Sequence, residues 1–301
     1  MPAAGDWAGP PDRRRVAMSA HRGRVSGHGG ISERGELDRP YAIGPEEVAR
    51  YERDGYVKLR QVCDPPTVAR YQPEITERVI ALNTQHLPLS ERDTYNRAFL
   101  QVENLWRHSD TVREFVFSRR LAGIAARLLG VRAVRLYHDQ ALYKEAGGGF
   151  TPWHVDQYYW PLSTDRTVTA WVPLQDVGPQ AGPLTFAAGS HRSGYGHALG
   201  IGDESEARLE EFVARRGYPV DATPYALGDV SFHAGWTIHR APANTVDTPR
   251  RVMTVIYMDA DIRVTEPGND FQESDRVTFL GGRPAGAPAD GPLNPVLWES
   301  D

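Results

Sequence analysis

The chain has 301 residues, 40% of them apolar and 24% charged, with a formal net charge of −5, the make-up of an ordinary globular protein with room for one or two domains. No run approaches the roughly 18 consecutive apolar residues of a membrane-spanning helix, and the negative balance gives nucleic-acid binding no global electrostatic support. The single cysteine, Cys63, excludes an internal disulfide and a cysteine-rich zinc site and is expected to be a buried, inert thiol.

Residues 1–40 are rich in Gly, Pro, Ser and Arg and lack helix or strand periodicity, so they are expected to form a disordered tail, in which Met18 is an alternative start. The tail has no apolar stretch of the kind a secretory signal needs, and a cytoplasmic protein is expected. Residues 41–301 are expected to form a single domain. Pro45-Glu46-Glu47 opens a helix that runs to about Asp54, where Gly55 ends it. Tyr56–Val62 reads as a strand. Pro65 starts a second helix reaching about Asn83, and a third helical stretch lies within Thr111–Leu129, where Phe115, Leu121, Ile124, Ala125 and Leu128 recur at helical spacing.

After residue 130 the pattern changes to short β-type runs separated by Gly, Pro, Asn and Asp: Val134–Tyr143, Val168–Leu174, Leu184–Ala187, Asp229–Phe232 and Val252–Met258. Residues 203–216 form a helical insertion, read as a solvated surface helix. The fold class expected is mainly β with flanking helices, built on a double-sheet β-roll.

Chemistry concentrates in the histidines of the β region. On a strand, residues i and i+2 share a face, so His154 and Asp156 would present an imidazole and a carboxylate side by side while Val155 points away. That pair supplies two of the three ligands of a 2-His-1-carboxylate facial triad. Alone, H-x-D is a weak signal. The stretch Gly228–His239 offers two candidates for the third ligand, His233 and His239. If Pro242–Pro249 turned a hairpin centred between Asn244 and Thr245, Arg250 would oppose His239 and face the same cavity, with Arg251 facing out. An inward arginine suits a bidentate, charge-assisted grip on a carboxylate. Lys144 and Arg240 are further candidates to meet an anionic substrate group. Tyr158, Tyr159 and Trp160 are candidates for a pocket wall or for the core. Gly147–Gly149 reads either as a mobile active-site loop or as a plain turn.

The strings WHVDQYYWP, TAWVPLQDV, GPLTFAAGSHR, GDVSFHAGWTIHRAPAN and PRRVMTVIY, together with EEVARYERDGYVKLRQV near the start and residues 289–298, occur in the order in which the phytanoyl-CoA dioxygenase family carries its motifs. Over roughly residues 43–298 the chain resembles that family of non-haem Fe(II), 2-oxoglutarate-dependent oxygenases. The resemblance implies a double-stranded β-helix (jelly-roll, cupin-like) core, with Fe(II), 2-oxoglutarate and O2 as cofactor and co-substrates. It implies His154, Asp156 and His239 as iron ligands and Arg250 as the 2-oxoglutarate arginine, eleven residues after the distal histidine. Trp171 matches a tryptophan lining the 2-oxoglutarate pocket, and Gln140 a polar residue near co-substrate or substrate. His191 matches a motif read as structural. Asp156 stands where related halogenases lack a carboxylate, which disfavours halogenation. The implied activity is hydroxylation of an unactivated C–H bond of a small, secondary-metabolite substrate, with decarboxylation of 2-oxoglutarate to succinate and CO2. The partner expected is that small molecule, with no nucleic acid and no membrane. Two other readings stay open: a cupin-type metal-dependent isomerase or hydrolase, which gives Arg250 and Trp171 no purpose, and a non-catalytic ligand-binding member.

Overall fold

In the computed structural model, which describes residues 35–300, the chain enters through α1 (Pro45–Asp54). Pro45 takes the first helical position, where no N–H is needed, and Glu47 Oε2 accepts from Gly44 N at 2.9 Å. Gly55 closes the helix at φ 79°. A side chain there would be strained and would also collide with His191 Nδ1 and Thr237 Oγ1, 2.5 and 2.6 Å from where its Cβ would lie.

The remaining helices are α2 (Pro65–Leu82), α3 (Thr94–Ala98), α4 (Asp110–Val116), α5 (Arg119–Leu129), α6 (Asp203–Arg216) and α7 (Asp270–Thr278). The third helical stretch expected from periodicity is two helices. It breaks at Phe117–Ser118, and Ser118 Oγ accepts from Leu121 N at 3.2 Å to cap α5. Glu36–Asp38, inside the segment expected to be a tail, form a 3-10 turn with Leu37 buried and its carbonyl bonded by Ser118 Oγ at 3.1 Å. Residues 1–34 of that expected tail lie outside the described residues.

The strands are β1 (Tyr56–Leu59), β2 (Leu100–Glu103), β3 (Ala133–Tyr143), β4 (Thr151–His154), β5 (Thr167–Pro173), β6 (Thr185–Ala187), β7 (Val220–Asp221), β8 (Val230–Ala234), β9 (His239–Ala241), β10 (Val252–Asp259) and β11 (Val296–Glu299). A seven-stranded antiparallel sheet runs β1-β8-β5-β10-β3-β11, with β2 beside β3. A four-stranded antiparallel sheet runs β4-β9-β6-β7. This is the two-sheet jelly roll the turn-rich sequence pattern suggested.

Alternation along the large sheet separates two jobs. Val168, Ala170 and Val172 of β5, Val230 and Phe232 of β8, and Met253, Val255 and Tyr257 of β10 join one apolar core with the faces of α2, α4 and α5. The intervening residues Thr169, Trp171, Ser231, His233 and Thr254 share the opposite face. All seven residues of β5 are buried because both faces are covered. Among the described residues no helix is long and apolar enough to cross a membrane.

The expected hairpin between His239 and Arg250 does not form. β9 belongs to the small sheet and β10 to the large one, so residues 242–249 cross between sheets instead of turning back within one. Asn244 anchors that crossing: its side-chain amide donates to the carbonyls of Glu145 and Thr248 at 2.9 and 2.8 Å.

Candidate active site

β4 and β9 pair so that His154 and His239 are directly opposed, with ring centroids 4.1 Å apart. The expected strand geometry of the H-x-D pair holds only in part. β4 ends at His154, Val155 stays extended, and Asp156 opens a 3-10 turn, Asp156–Tyr159. Val155 still points away, into the apolar contact with α6, while Asp156 turns back toward the histidines.

One ligand atom each from His154, Asp156 and His239 lies within 4.8 Å of the others. Asp156 Oδ1 is 3.6 Å from His154 Nε2 and 3.5 Å from His239 Nε2. The Nδ1 of His154 bonds the Pro152 carbonyl at 2.7 Å and that of His239 bonds the Thr237 carbonyl at 2.9 Å. A carbonyl only accepts, so each Nδ1 carries the proton and each Nε2 turns a lone pair toward Asp156. Burial keeps both rings neutral by lowering their pKa values, that of His239 strongly. Burial opposes charge on Asp156, and the hydrogen bond it accepts from His233 favours the ionised carboxylate against that cost. Three acceptor atoms converge with no donor between them, an arrangement that suits a cation.

Arg250 is buried on the same side of the large sheet. Its Nη1 donates to the Gly182 carbonyl at 2.6 Å, its Nε has no partner among the described residues, and its guanidinium lies 5.4 Å from the Trp171 ring. Among the described residues no carboxylate pairs with it. Burial lowers its pKa to about 10. A buried, uncompensated guanidinium is costly unless an anion arrives. Arg251 is half-buried and donates to Gln175 Oε1 at 3.3 Å.

Gln140 stands on the inner face opposite Thr254 and Glu103. Tyr95 OH donates to Gln101 Oε1 at 2.7 Å, and Gln101 Nε2 donates to Gln140 Oε1 at 2.6 Å, which fixes the orientation of the Gln140 amide. The sequence reading missed β2 and therefore Gln101 and Glu103, because four residues are too few for a periodicity signal.

A bulge in β3 sets Tyr137 and His138 on the same side, since Ile256 pairs with His138 and Tyr257 with Leu136. Tyr137 OH donates to Asp275 of α7 at 3.0 Å, and His138 stacks on Phe279 at 4.2 Å. Trp160 is buried beside Tyr137, Ile256 and Phe279. Tyr158 and Tyr159 are half-buried and pack on Phe271 of α7, with centroids 6.0 and 5.4 Å away.

Lys144 and Arg240 are committed elsewhere. Lys144 is buried and donates to the Gly149 carbonyl and, at 3.3 Å, to Thr151 Oγ1. Arg240 points outward, over Trp153 at 4.6 Å and 3.0 Å from Glu206. The Gly147–Gly149 loop is pinned, with Gly149 N bonded to the Arg97 carbonyl and the Gly148 carbonyl bonded by Asn244 N. Nor is residues 203–216 a merely solvated helix. Leu209, Phe212 and Val213 bury against Trp153, Val155 and Ile238, behind the strands of His154 and His239. His191 lies against Gly55, away from the His154–Asp156–His239 cluster.

Residues 51–252 match the family model described as Phytanoyl-CoA dioxygenase (PhyH). Phytanoyl-CoA dioxygenase domain-containing protein 1 of Danio rerio is 28% identical over 137 residues, 44% of this chain and about half, 47%, of that protein. Among solved structures, the non-heme α-ketoglutarate-dependent carbocyclase SnoK from nogalamycin biosynthesis superposes with a TM-score of 0.71 at 27% identity, covering 86% of this chain and 99% of that one. The epimerase SnoN, in complex with Fe3+, α-ketoglutarate and nogalamycin RO, superposes with a TM-score of 0.68 at 30% identity, covering 84% and 98%. The converging His-Asp-His cluster, the two-sheet roll around it and the matched residues together make this chain a member of the phytanoyl-CoA dioxygenase family of Fe(II)- and 2-oxoglutarate-dependent oxygenases.

Proposed function

We propose that the protein cleaves an unactivated C–H bond of a small secondary-metabolite substrate, with His154, Asp156 and His239 holding Fe(II), and Arg250, Trp171 and Gln140 seating 2-oxoglutarate. The observation that carries this reading is the convergence of two imidazole lone pairs and one carboxylate oxygen with no donor among them. Bound iron with 2-oxoglutarate supplies O2 activation: co-substrate, O2 and R–H become succinate, CO2 and R–OH.

The protein's own contribution is placement. Thr169 touches Asp156, and Trp171, beside Arg250, follows two residues along β5, about 7 Å on at strand rise. A five-carbon diacid spans such a gap, one end at the metal and the other on the guanidinium. The pair Arg250–carboxylate would complete a charge left bare by the protein. Tyr158 and Tyr159, half-buried on the Asp156 turn, pack on Phe271 and give that region aromatic surface, which supports a substrate with a flat apolar portion.

A second outcome at the same carbon is supported by likeness: SnoK is a carbocyclase and SnoN an epimerase, so ring closure, with the two hydrogens leaving as water, or epimerisation, with a hydrogen returned by an external two-electron reductant such as a thiol or ascorbate, stands beside hydroxylation. The deciding experiment is anaerobic addition of Fe(II) and then 2-oxoglutarate, followed by O2 and a panel of small molecules with a flat apolar portion. A weak visible chelate band and substrate-stimulated succinate are expected, and mass spectrometry separates a gain of oxygen from loss of two hydrogens or no mass change. No chelate band and no succinate would sink the reading.

A further inference from the structure

We propose that His233 and Thr169 form a paired positioning clamp that commits Asp156 to a single metal-facing oxygen. The inference rests on the reading of His154, Asp156 and His239 as the ligand set.

His233 and Thr169 are directly opposed residues on β8 and β5, so their side chains rise together from the inner face of the large sheet. Both reach the same atom. Thr169 Oγ1 donates to Asp156 Oδ2 at 3.0 Å, and His233 Nε2 bonds that oxygen at 3.1 Å. The carboxylate accepts, so His233 carries a proton on Nε2, and its buried Nδ1 has no partner among the described residues. His233 is thereby removed from the ligand set, although its ring lies 4.5 Å from that of His239. An N–H aimed at a carboxylate cannot also offer a lone pair to a metal.

The two donors occupy the two lone-pair positions of Oδ2. Among the described residues no hydrogen-bond donor reaches Oδ1, which faces the Nε2 atoms of His154 and His239. The clamp thus fixes the rotation of the carboxyl group about its own bond. It would also withhold Oδ2 from a bound metal, so that Asp156 would offer Oδ1 alone. Asp156 needs such a hold because it stands on a 3-10 turn and not on a strand, so no ladder bonds set its direction. The large sheet supplies the clamp and the small sheet the two histidines, so the site forms only where both sheets meet.

The test is Co(II) titration of the metal-free protein, read from the visible absorption of the bound ion, with thermal midpoints as a folding control. Thr169→Val and His233→Leu are each expected to weaken Co(II) binding about 10- to 100-fold. Thr169→Ser and His233→Gln restore a donor at the same place and are expected to bind near the parent affinity. Should His233→Leu not fold, the Thr169→Val and Thr169→Ser pair decides alone. Parent-like Co(II) affinity in Thr169→Val and His233→Leu, while Asp156→Ala has lost binding, would overturn the clamp and leave the ligand set standing. Undiminished binding by Asp156→Ala would instead overturn the ligand set, and the clamp with it.

Discussion

Arg250 exchanges both backbone hydrogen bonds with Lys144, at 2.8 and 2.9 Å, and has no strand partner near His239. Two cations are thus neighbours at the end of β3 and the approach to β10. Lys144 is satisfied by the Gly149 carbonyl and Thr151, whereas Arg250 keeps a bare Nε. Of these two, Arg250 is the one with a group left for the proposed 2-oxoglutarate carboxylate. Arg250→Ala should raise the 2-oxoglutarate KM by at least about 30-fold, the lower end of the 2–5 kcal/mol that truncating one member of a buried charged pair costs. Arg251→Ala, losing only its contact with Gln175, should shift it less than about threefold. Steady-state succinate production against 2-oxoglutarate concentration distinguishes them, and equal shifts would assign the pocket elsewhere.

His154→Ala, Asp156→Ala and His239→Ala should each abolish the anaerobic Fe(II)–2-oxoglutarate absorption and substrate-stimulated succinate formation. His191→Ala, outside the cluster, should keep the absorption band. Retention of the band in all three cluster variants would place the iron at other residues.

Glu206 joins the backs of the two strands that carry the histidines. Its Oε2 accepts from Trp153 N at 2.6 Å, next to His154, and its Oε1 takes Arg240 at 3.0 Å, next to His239. Glu206→Ala would leave the Trp153 N–H without a partner, a loss of about 1–3 kcal/mol. Glu206→Gln keeps an acceptor and should lose less. Urea unfolding midpoints give the comparison, and an unchanged midpoint in Glu206→Ala would show that α6 does not brace this edge through Glu206.

Asp139 lies on the helix side of β3, with Oδ2 accepting from Leu105 N at 2.9 Å and Oδ1 unpartnered. Burial outweighs its hydrogen bonds and raises its pKa to about 7. The folded chain then holds a proton that the unfolded chain releases near pH 4, so this group makes stability fall as pH rises from about 4 to about 7, by up to roughly 1.4 kcal/mol per pH unit. Asp139→Asn keeps the acceptor for Leu105 and should flatten that slope. Unfolding free energies at pH 5, 6 and 7 test it, and parallel slopes for the two proteins would refute the assignment.

Much of the frame was legible along the chain. Gly55 after an amphipathic run marked the end of α1, and the β-type runs of residues 134–143, 168–174 and 252–258 are β3, β5 and β10 to within a residue. Short elements escaped: β2 and α3 carry too few residues for a pattern, and α7 buries none of its residues. Val155 pointing away from His154 and Asp156 was also readable, since an extended residue between two neighbours faces opposite to them.

The sequence alone determined the donor types and their nearness where two or three residues separate them: an imidazole beside a carboxylate at residues 154 and 156, and alternation that turns Arg250 and Arg251 opposite ways. Tertiary structure decided which distant groups meet. It put β9 and β10 in separate sheets, gave Arg250 to Lys144, brought His233 and Thr169 onto one oxygen of Asp156, and set α6 behind the histidine strands. Local spacing specifies which face a side chain takes; which strands and side chains meet follows from which sheets bury their apolar faces together, and no window of sequence contains that balance.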